Sequence, residues 1–146
     1  MIQPAITTRV REEQNRRLLR ARDTIDRDYA RPLDIPALAR VAIVSEAHFI
    51  RSFKAAFGET PHRYLQRRRI ERAMALLRTT GLSVGEVCVE VGFSGVATFT
   101  RTFREIVGET PGAYRARGPL PDAPTCFAKS WLRPSSFGQA DATKRM

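Results

Sequence analysis

The sequence predicts an all-α protein that contains two copies of a small helical unit. Three observations support this fold class. Apolar residues recur at three- and four-residue steps over most of residues 9–117, no stretch alternates like a half-buried strand, and one segment repeats after fifty residues. With 146 residues and a hydrophobic content of 42%, the chain can form one ordinary domain or two very small ones.

Capping residues and helix-breaking residues place the first helices. A first helix is expected over about 9–29, and the stretch "ARPL" ends it because the residue before a proline disfavours helical geometry. Asp34 then caps a short helix over 35–42, which carries a proline in its first turn. Ser45 can cap the helix that follows.

The second half of the sequence repeats this order. A long helix is expected over 61–78, and "TTGLS" closes it. Residues 84–91 and 95–107 repeat the pair of short helices, and residues 111–117 form a last short helix. The residues expected to be buried by the first helix and the long helix are Leu18, Ala21, Ile25, Tyr29, Leu65, Ile70, Ala73, Met74 and Leu77.

The internal repeat is the strongest signal in the sequence. Residues 47–67 and 97–117 are identical at ten of 21 positions, among them the motif GETP at 58–61 and 108–111. Glycine is the usual left-handed residue at a helix end, threonine caps a following helix, and proline suits its first position. The motif therefore predicts a joint between two helices, and a repeated binding loop is the alternative interpretation.

The charge favours a polyanionic partner. Lys and Arg number 25 against 15 Asp and Glu, nearly all the basic residues are arginine, and the net charge is +10. Such an excess is typical of proteins that bind nucleic acid or an acidic membrane surface. No apolar run is long enough to cross a bilayer, no export signal is present, and Cys88 and Cys126 form no disulfide framework. We therefore expect a cytoplasmic protein that does not bind a membrane.

The two ends of the chain differ in composition from its centre. Residues 1–15 are interpreted as an N-terminal extension, and residues 119–146, rich in Pro, Ser and Gly without helical periodicity, are expected to be a disordered tail. The tail has four basic and two acidic residues, which leaves a net charge of +8 on the rest of the chain.

The second copy of the repeat has the layout of a helix-turn-helix. In "VGEVCVEVGFSGVATFTRTFREIVG", Gly92 turns the chain, Ser94 is expected to cap the second helix, and Phe99 and Phe103 hold that helix to the core. In such a motif the second helix enters the major groove of DNA. The face opposite the two phenylalanines presents Val96, Ala97, Thr98, Thr100 and Arg101.

A longer segment resembles the DNA-binding domain of AraC/XylS-type transcription regulators. It reads "LDIPALARVAIVSEAHFIRSFKAAFGETPHRYLQRRRIERAMALLRTTGLSVGEVCVEVGFSGVATFTRTFREIVGETPGAYR", and the resemblance extends over residues 16–118. It implies two helix-turn-helix subdomains, homeodomain-like bundles at 34–57 and 84–107, joined by a long linker helix at 61–78. It further implies about seven helices and a sequence-specific regulator of transcription that binds double-stranded DNA, an activator by family tendency, with RNA polymerase as a further partner.

The family's DNA-contact positions can be carried over to this sequence one by one. Arginine can bind guanine O6 and N7 or a phosphate, threonine can reach a base edge, and the apolar residues offer contacts to thymine methyl groups. The implied contacts are Ala47, His48, Ile50 and Arg51 in the first recognition helix and Val96, Ala97, Thr98, Thr100 and Arg101 in the second. Weaker phosphate contacts are expected from Ser45, Arg67, Arg68 and Ser94.

One position departs from the family pattern. The family often has glycine in the turn, where Gly92 stands in the second copy, but the first copy has Ile43 there (a strict offset of fifty would give Ala42). A β-branched residue in a left-handed turn is strained by roughly 1 kcal/mol or more. Either the first turn is reshaped or the first recognition helix is less well positioned.

The short ends favour a single-domain family member that binds as a monomer, with its two recognition helices in successive major grooves. The open alternatives are a protein-interaction or RNA-binding helical module and a truncated regulator that lacks its effector domain. An enzyme is disfavoured, because His48 and His62 have no matching ligands and no phosphate-binding loop or paired carboxylates stand out. We therefore expect no catalytic residue, cofactor or metal.

Overall fold

The computed structural model describes residues 4–118, and this part of the chain consists of seven α-helices with no strand. The all-α prediction is confirmed for these residues. The predicted tail, residues 119–146, lies outside the described residues. The helices are α1 (Pro4–Asp28), α2 (Ile35–Ala42), α3 (Glu46–Phe57), α4 (Pro61–Thr79), α5 (Val84–Glu90), α6 (Val96–Val107) and α7 (Pro111–Ala116).

The chain divides after Leu65 into two compact units, each with a hydrophobic core of its own. Eight of the nine core residues expected from the first and the long helix are buried, and Tyr29 packs half-buried at the edge of the first core. The first core consists of Leu18, Ala21, Ile25, Leu38, Ala39, Ala42, Phe49, Phe53, Tyr64 and Leu65. The second core consists of Ile70, Ala73, Met74, Leu76, Leu77, Val87, Cys88, Val91, Phe93, Phe99, Phe103 and Tyr114.

Side-chain caps set the helix starts of the first unit. The N–H of Ala37 donates to Asp34 Oδ1 at 2.9 Å where α2 begins. The N–H of His48 donates to Ser45 Oγ at 3.2 Å where α3 begins. Each cap satisfies a backbone N–H that the first turn of a helix leaves without an intrahelical partner. Both caps were predicted from the sequence and are confirmed.

The two GETP segments are joints between helices, as predicted. Gly58 and Gly108 are left-handed, with φ of 82° and 98°, and each ends the helix before it. Thr60 Oγ1 and Thr110 Oγ1 each accept the N–H of the residue three positions later at 3.2 Å. Because the glycine and the threonine of each copy end one helix and cap the next, the repeated motif is accounted for without a ligand.

An aromatic residue one turn beyond each joint packs on the preceding helix. The ring of Tyr64 lies 5.6 Å from that of Phe53, and Tyr114 lies 5.6 Å from Phe103, both edge to face. The hydroxyl of Tyr64 also donates to a carboxylate oxygen of Asp26 at 2.7 Å. The repeat therefore fixes the orientation of α3 and of α6 within their own units in the same way.

Helix α1 differs from the prediction at its start. It begins at Pro4 rather than near residue 9, so it includes most of the segment interpreted as an extension. Proline is tolerated in the first turn of a helix, and residues 5–15 contain no glycine or further proline to stop it. No helix of residues 4–118 is both long enough and apolar enough to span a membrane.

Candidate nucleic-acid interface

The first helix-turn-helix is formed by α2 and α3. Leu38 and Ala42 of α2 and Phe49 and Phe53 of α3 belong to one core, and none of these side chains is more than 1% exposed. Phe49 and Phe53 are one helical turn apart, so their burial turns the opposite face of α3 outward.

The second helix-turn-helix repeats this packing with α5 and α6. Val87, Cys88 and Val91 share a core with Phe99 and Phe103, and all five are at most 1% exposed. Cys88 is a free, buried cysteine, as the sequence predicted, and burial raises the pKa of its thiol. The thiol therefore serves as a small apolar residue of the core.

The turns of the two motifs are built alike although their residues differ. Ile43 has φ 57° and ψ 47°, and Gly92 has φ 96°. In both turns this left-handed residue donates its N–H to the carbonyl three residues earlier at 3.1 Å. The next residue, Val44 or Phe93, donates to the carbonyl five residues earlier, also at 3.1 Å. Ile43 is thus in the strained conformation, and the first turn is not reshaped.

The second motif has one more residue between its turn and its second helix. Ser45 caps α3, but the residue that precedes α6 is Gly95, which is extended and has no side chain to accept a hydrogen bond. The prediction that Ser94 caps this helix is therefore wrong. The extra residue places Ser94 one position before the cap, where it is exposed.

The predicted contact residues of α3 lie on its outward face. Ala47, His48, Ile50 and Arg51 are all exposed, and Ile50 retains 37% of its accessible surface. Small and apolar residues of this kind leave the helix backbone open to close approach by a partner.

Helix α6 presents a corresponding face. Val96, Ala97, Thr98 and Arg101 are exposed, with Val96 at 49%, and Thr100 is half-buried. The structure brings the five predicted residues of this helix onto or beside one solvent-facing surface.

The arginine of each recognition helix is available for a partner. Within residues 4–118 neither Arg51 nor Arg101 forms an ion pair or a side-chain hydrogen bond. The alternative that Glu46 or Glu105 neutralises them within the helix is therefore not observed in this part of the chain. An exposed guanidinium can form two parallel hydrogen bonds with guanine or with a phosphate.

Arg67 and Arg68, two of the predicted phosphate contacts, are ion-paired within α4. Both form ion pairs with Glu71, which is 6% exposed, and Arg68 Nη1 lies 2.9 Å from Glu71 Oε2. The two arginine side chains are only 20% and 21% exposed. Burial raises the pKa of Glu71 to about 7, and the two guanidinium groups pull that pKa downward. These ion pairs compete with any contact of Arg67 and Arg68 to a phosphate.

Two basic residues were missed by the sequence analysis. Lys54 and Arg104 are exposed and lie one helical turn after Arg51 and Arg101, on the same faces. They correspond at the offset of fifty, and this shared charge is the signal that could have identified them.

A family profile described as "Helix-turn-helix domain" matches residues 38–117, which is more than half of the chain. The chain belongs to the AraC-type helix-turn-helix family. Both helix-turn-helix motifs described above fall almost entirely within the matched residues of this AraC-type domain.

The curated relatives are named as regulators of transcription. The chain is 34% identical over 95 residues to the probable transcription factor PqrA of Proteus vulgaris, covering 65% of this chain and 77% of PqrA. It is 33% identical over 85 residues to the HTH-type transcriptional regulator MtrA of Neisseria gonorrhoeae, covering 58% of this chain and 28% of MtrA. It spans 22% and 23% of the lengths of two further transcriptional regulators, from Haemophilus influenzae and Acinetobacter baylyi.

Solved structures show the same fold. The chain is similar to the DNA-binding domain of AdpA, a global transcriptional factor, whose crystal structure contains a target DNA. The TM-score is 0.66 at 31% identity, and the match covers 68% of this chain and 90% of the AdpA chain.

Proposed function

We propose that this chain is a regulator of transcription that binds specific double-stranded DNA sequences through α3 and α6. The observation that carries the proposal is the pair of solvent-facing helices, each supported by a buried aromatic pair. Each helix also bears an exposed arginine that forms no ion pair within residues 4–118. The net charge of +10 and the AdpA structure with its target DNA support the same function.

The exposed side chains divide into two kinds of contact. Arg51 and Arg101 bind guanine edges or phosphates, and Thr98 reaches a base edge or a phosphate. In this proposal, the small and apolar side chains of both helices lie against the base edges at the floor of the major groove, together with His48 and Thr100. Apolar side chains can recognise thymine methyl groups but donate no hydrogen bond, so most of the discrimination in this proposal comes from the two arginines.

Phosphate contacts hold the domain on the duplex in this proposal. Lys54 and Arg104 replace Arg67 and Arg68 in this role because they are exposed and lie on the recognition helices. Ser45 and Ser94 precede the first turns of α3 and α6, where backbone N–H groups favour an anion. Such contacts fix orientation and make the affinity depend on salt.

One chain would contact two successive major grooves. The duplication within a single chain supports this, as does α4, whose 19 residues correspond to about 28 Å of helix. Successive major grooves on one side of DNA are about 34 Å apart. In this proposal residues 16–118 form the DNA-binding domain and bind as a monomer in the cytoplasm, and the bound protein activates transcription through RNA polymerase.

A selection of bound sites from random duplexes tests the proposed function. We expect enrichment of one asymmetric sequence and a gel shift with that duplex that weakens as the salt concentration rises. A single-stranded RNA of the same sequence should bind more weakly. Absence of any enriched duplex would contradict the proposal, and tighter binding of the RNA would favour the alternative of an RNA-binding module.

A further inference from the structure

A groove of about 330 Å³ lies between α1 and α3 in the first unit. Several of the residues that line it have small or apolar side chains, among them Leu18, Ala42, Val44, Ala55 and Ala56. Because these side chains are short, the groove can admit apolar side chains from a partner.

Two exposed apolar residues of α1 lie on the side of the helix that borders this groove. Ile6 and Val10 are 59% and 52% exposed and are one helical turn apart. Around the helix axis, Val10 is about 40° from Gln14 and about 20° from Arg17, and both of these residues line the groove. Ile6, Val10 and the groove therefore form one continuous surface, which we call the α1 face.

The beginning of α1 has little support from its own unit. Residues 5–12 are all exposed, and none of them belongs to either hydrophobic core. Four of these eight residues, Ile6, Thr7, Thr8 and Val10, are β-branched and so have a reduced helix propensity. Helices are stabilised mainly by packing of an apolar face, so a partner that covers the α1 face would stabilise this segment.

The charge of this segment suits a copy of itself. Residues 4–15 contain two arginines and two glutamates, so the segment is neutral in a chain whose net charge is +10. A two-fold contact between identical chains needs a surface that is complementary to itself. The α1 face meets this requirement, because it carries both a pair of protruding apolar side chains and a groove that can receive them.

We propose that the partner of the α1 face is a second copy of the chain, with the two α1 helices antiparallel about a two-fold axis near residue 12. Residue 12 is the midpoint of Ile6 and Leu18 and also of Val10 and Gln14. Ile6 and Val10 of each copy therefore lie over the groove of the other.

The same arrangement brings opposite charges together beside the apolar contact. Arg9 and Glu13 lie on one flank of the α1 face, within about 40° of each other around α1. Their midpoint is residue 11, next to the two-fold axis, so Arg9 of one copy approaches Glu13 of the other. In the single chain Glu13 is paired with Arg16 and Arg17 of its own helix, at 2.7 and 3.3 Å.

A second copy in the groove would hinder DNA binding by α3, and this step rests on the proposed function. His48 lines the groove, and Arg51 is only about 60° from His48 around α3. The dimer is therefore the form that is not bound to DNA. A contact between two helices is smaller than the roughly 1,600 Å² of a standard interface, so the dimer should be weak enough for a specific duplex to displace it.

Sedimentation of the full chain without DNA tests the dimer, with Val10→Glu and Val89→Glu as a matched pair. Val89 lies on α5 of the second unit and is 74% exposed, so its substitution introduces the same charge away from the α1 face. The wild type and Val89→Glu should associate to dimers as the protein concentration rises. Val10→Glu should weaken the dimer roughly tenfold or more, because it places a charge against the apolar lining of the groove.

Ala56→Glu tests the other side of the same contact. This exposed residue lies on α3 in the lining of the groove, so its substitution should weaken the dimer as Val10→Glu does. Salt should strengthen the wild-type dimer, because it screens the repulsion between two chains of net charge +10, whereas salt weakens DNA binding.

Addition of the selected duplex to the wild-type dimer tests the competition. We expect the dimer to dissociate into complexes of one chain with one duplex. A wild-type protein that stays monomeric, or a dimer that Val10→Glu or Ala56→Glu leaves unchanged, would overturn this inference and leave the proposed function intact. A dimer that persists on the duplex would overturn the competition. Failure of the protein to bind any duplex would instead overturn the proposed function, while the sedimentation of the variants would still decide whether the dimer forms.

Discussion

Ile43 is the one non-glycine residue within 4–118 that has a positive φ, and its side chain is 62% exposed. The left-handed conformation brings Cβ close to the following carbonyl oxygen, and this costs roughly 1–2 kcal/mol in any residue except glycine. Little packing offsets the strain, since most of the side chain faces solvent. The first turn therefore lowers the stability of its unit without altering its geometry.

Substitutions at Ile43 should separate the cost of the backbone strain from the contribution of the side chain to stability. Ile43→Gly should be more stable than Ile43→Ala by up to about 1 kcal/mol, because alanine keeps the strain and glycine removes it at an entropic cost. Urea unfolding measures the difference. The reciprocal change Gly92→Ala should destabilise by about the same amount, and an Ile43→Ala protein more stable than Ile43→Gly would contradict this account.

Replacing either of two buried phenylalanines should strongly destabilise the protein. Phe53 and Phe103 are fully buried, and each packs edge to face on a tyrosine and on another phenylalanine. Either change to alanine should lower the free energy of unfolding by about 3–5 kcal/mol, because it removes a ring from a closed core. The matched changes to leucine should cost distinctly less. Losses below about 1 kcal/mol for both alanine variants would mean that the faces of α3 and α6 are reversed.

At the scale of the helices, local chemistry could be predicted from sequence and long-range packing could not. Asp34 and Ser45 were identified as caps because a cap depends on a few adjacent residues. The offset of fifty aligns Ser45 with Gly95, but Ser94 was expected to be the cap because serine is preferred at that position. The ion pairs of Arg67 and Arg68 could not be predicted because they depend on where tertiary packing buries Glu71 on α4.

The buried carboxyl group of α4 predicts a dependence of stability on pH. Burial raises the pKa of Glu71 from 4.5 to about 7. Between these pH values the carboxyl group is protonated in the folded protein but deprotonated in the unfolded chain. The stabilisation that the protonated Glu71 contributes to the free energy of unfolding is therefore fully present below about pH 4.5, and it should be lost as the pH rises through 7.

Glu71→Gln provides the control for this dependence. The difference in unfolding free energy between the wild type and Glu71→Gln should shift against the wild type between pH 5 and pH 8, as followed by urea unfolding. Arg68→Ala removes a charge that lowers this pKa, so the loss of stability should then extend to higher pH. A constant difference between the wild type and Glu71→Gln across this range would contradict the raised pKa.

At the scale of the whole molecule, the proposed function predicts an asymmetric DNA site, because the two similar units present different side chains on α3 and α6. Arg101→Ala should cost roughly 1–3 kcal/mol of binding and relax the sequence preference in one half of the site. Arg51→Ala should do the same in the other half. Because the turn at Ile43 has the same hydrogen bonds as the turn at Gly92, we expect the two losses of binding to be comparable, although the strain at Ile43 alone suggested weaker binding by the first unit.

Site selection with each variant measures both effects. Arg20→Ala, which removes an exposed arginine of α1, controls for the loss of charge. A footprint confined to one groove, or a palindromic site bound by two chains, would exclude binding of one chain across two grooves.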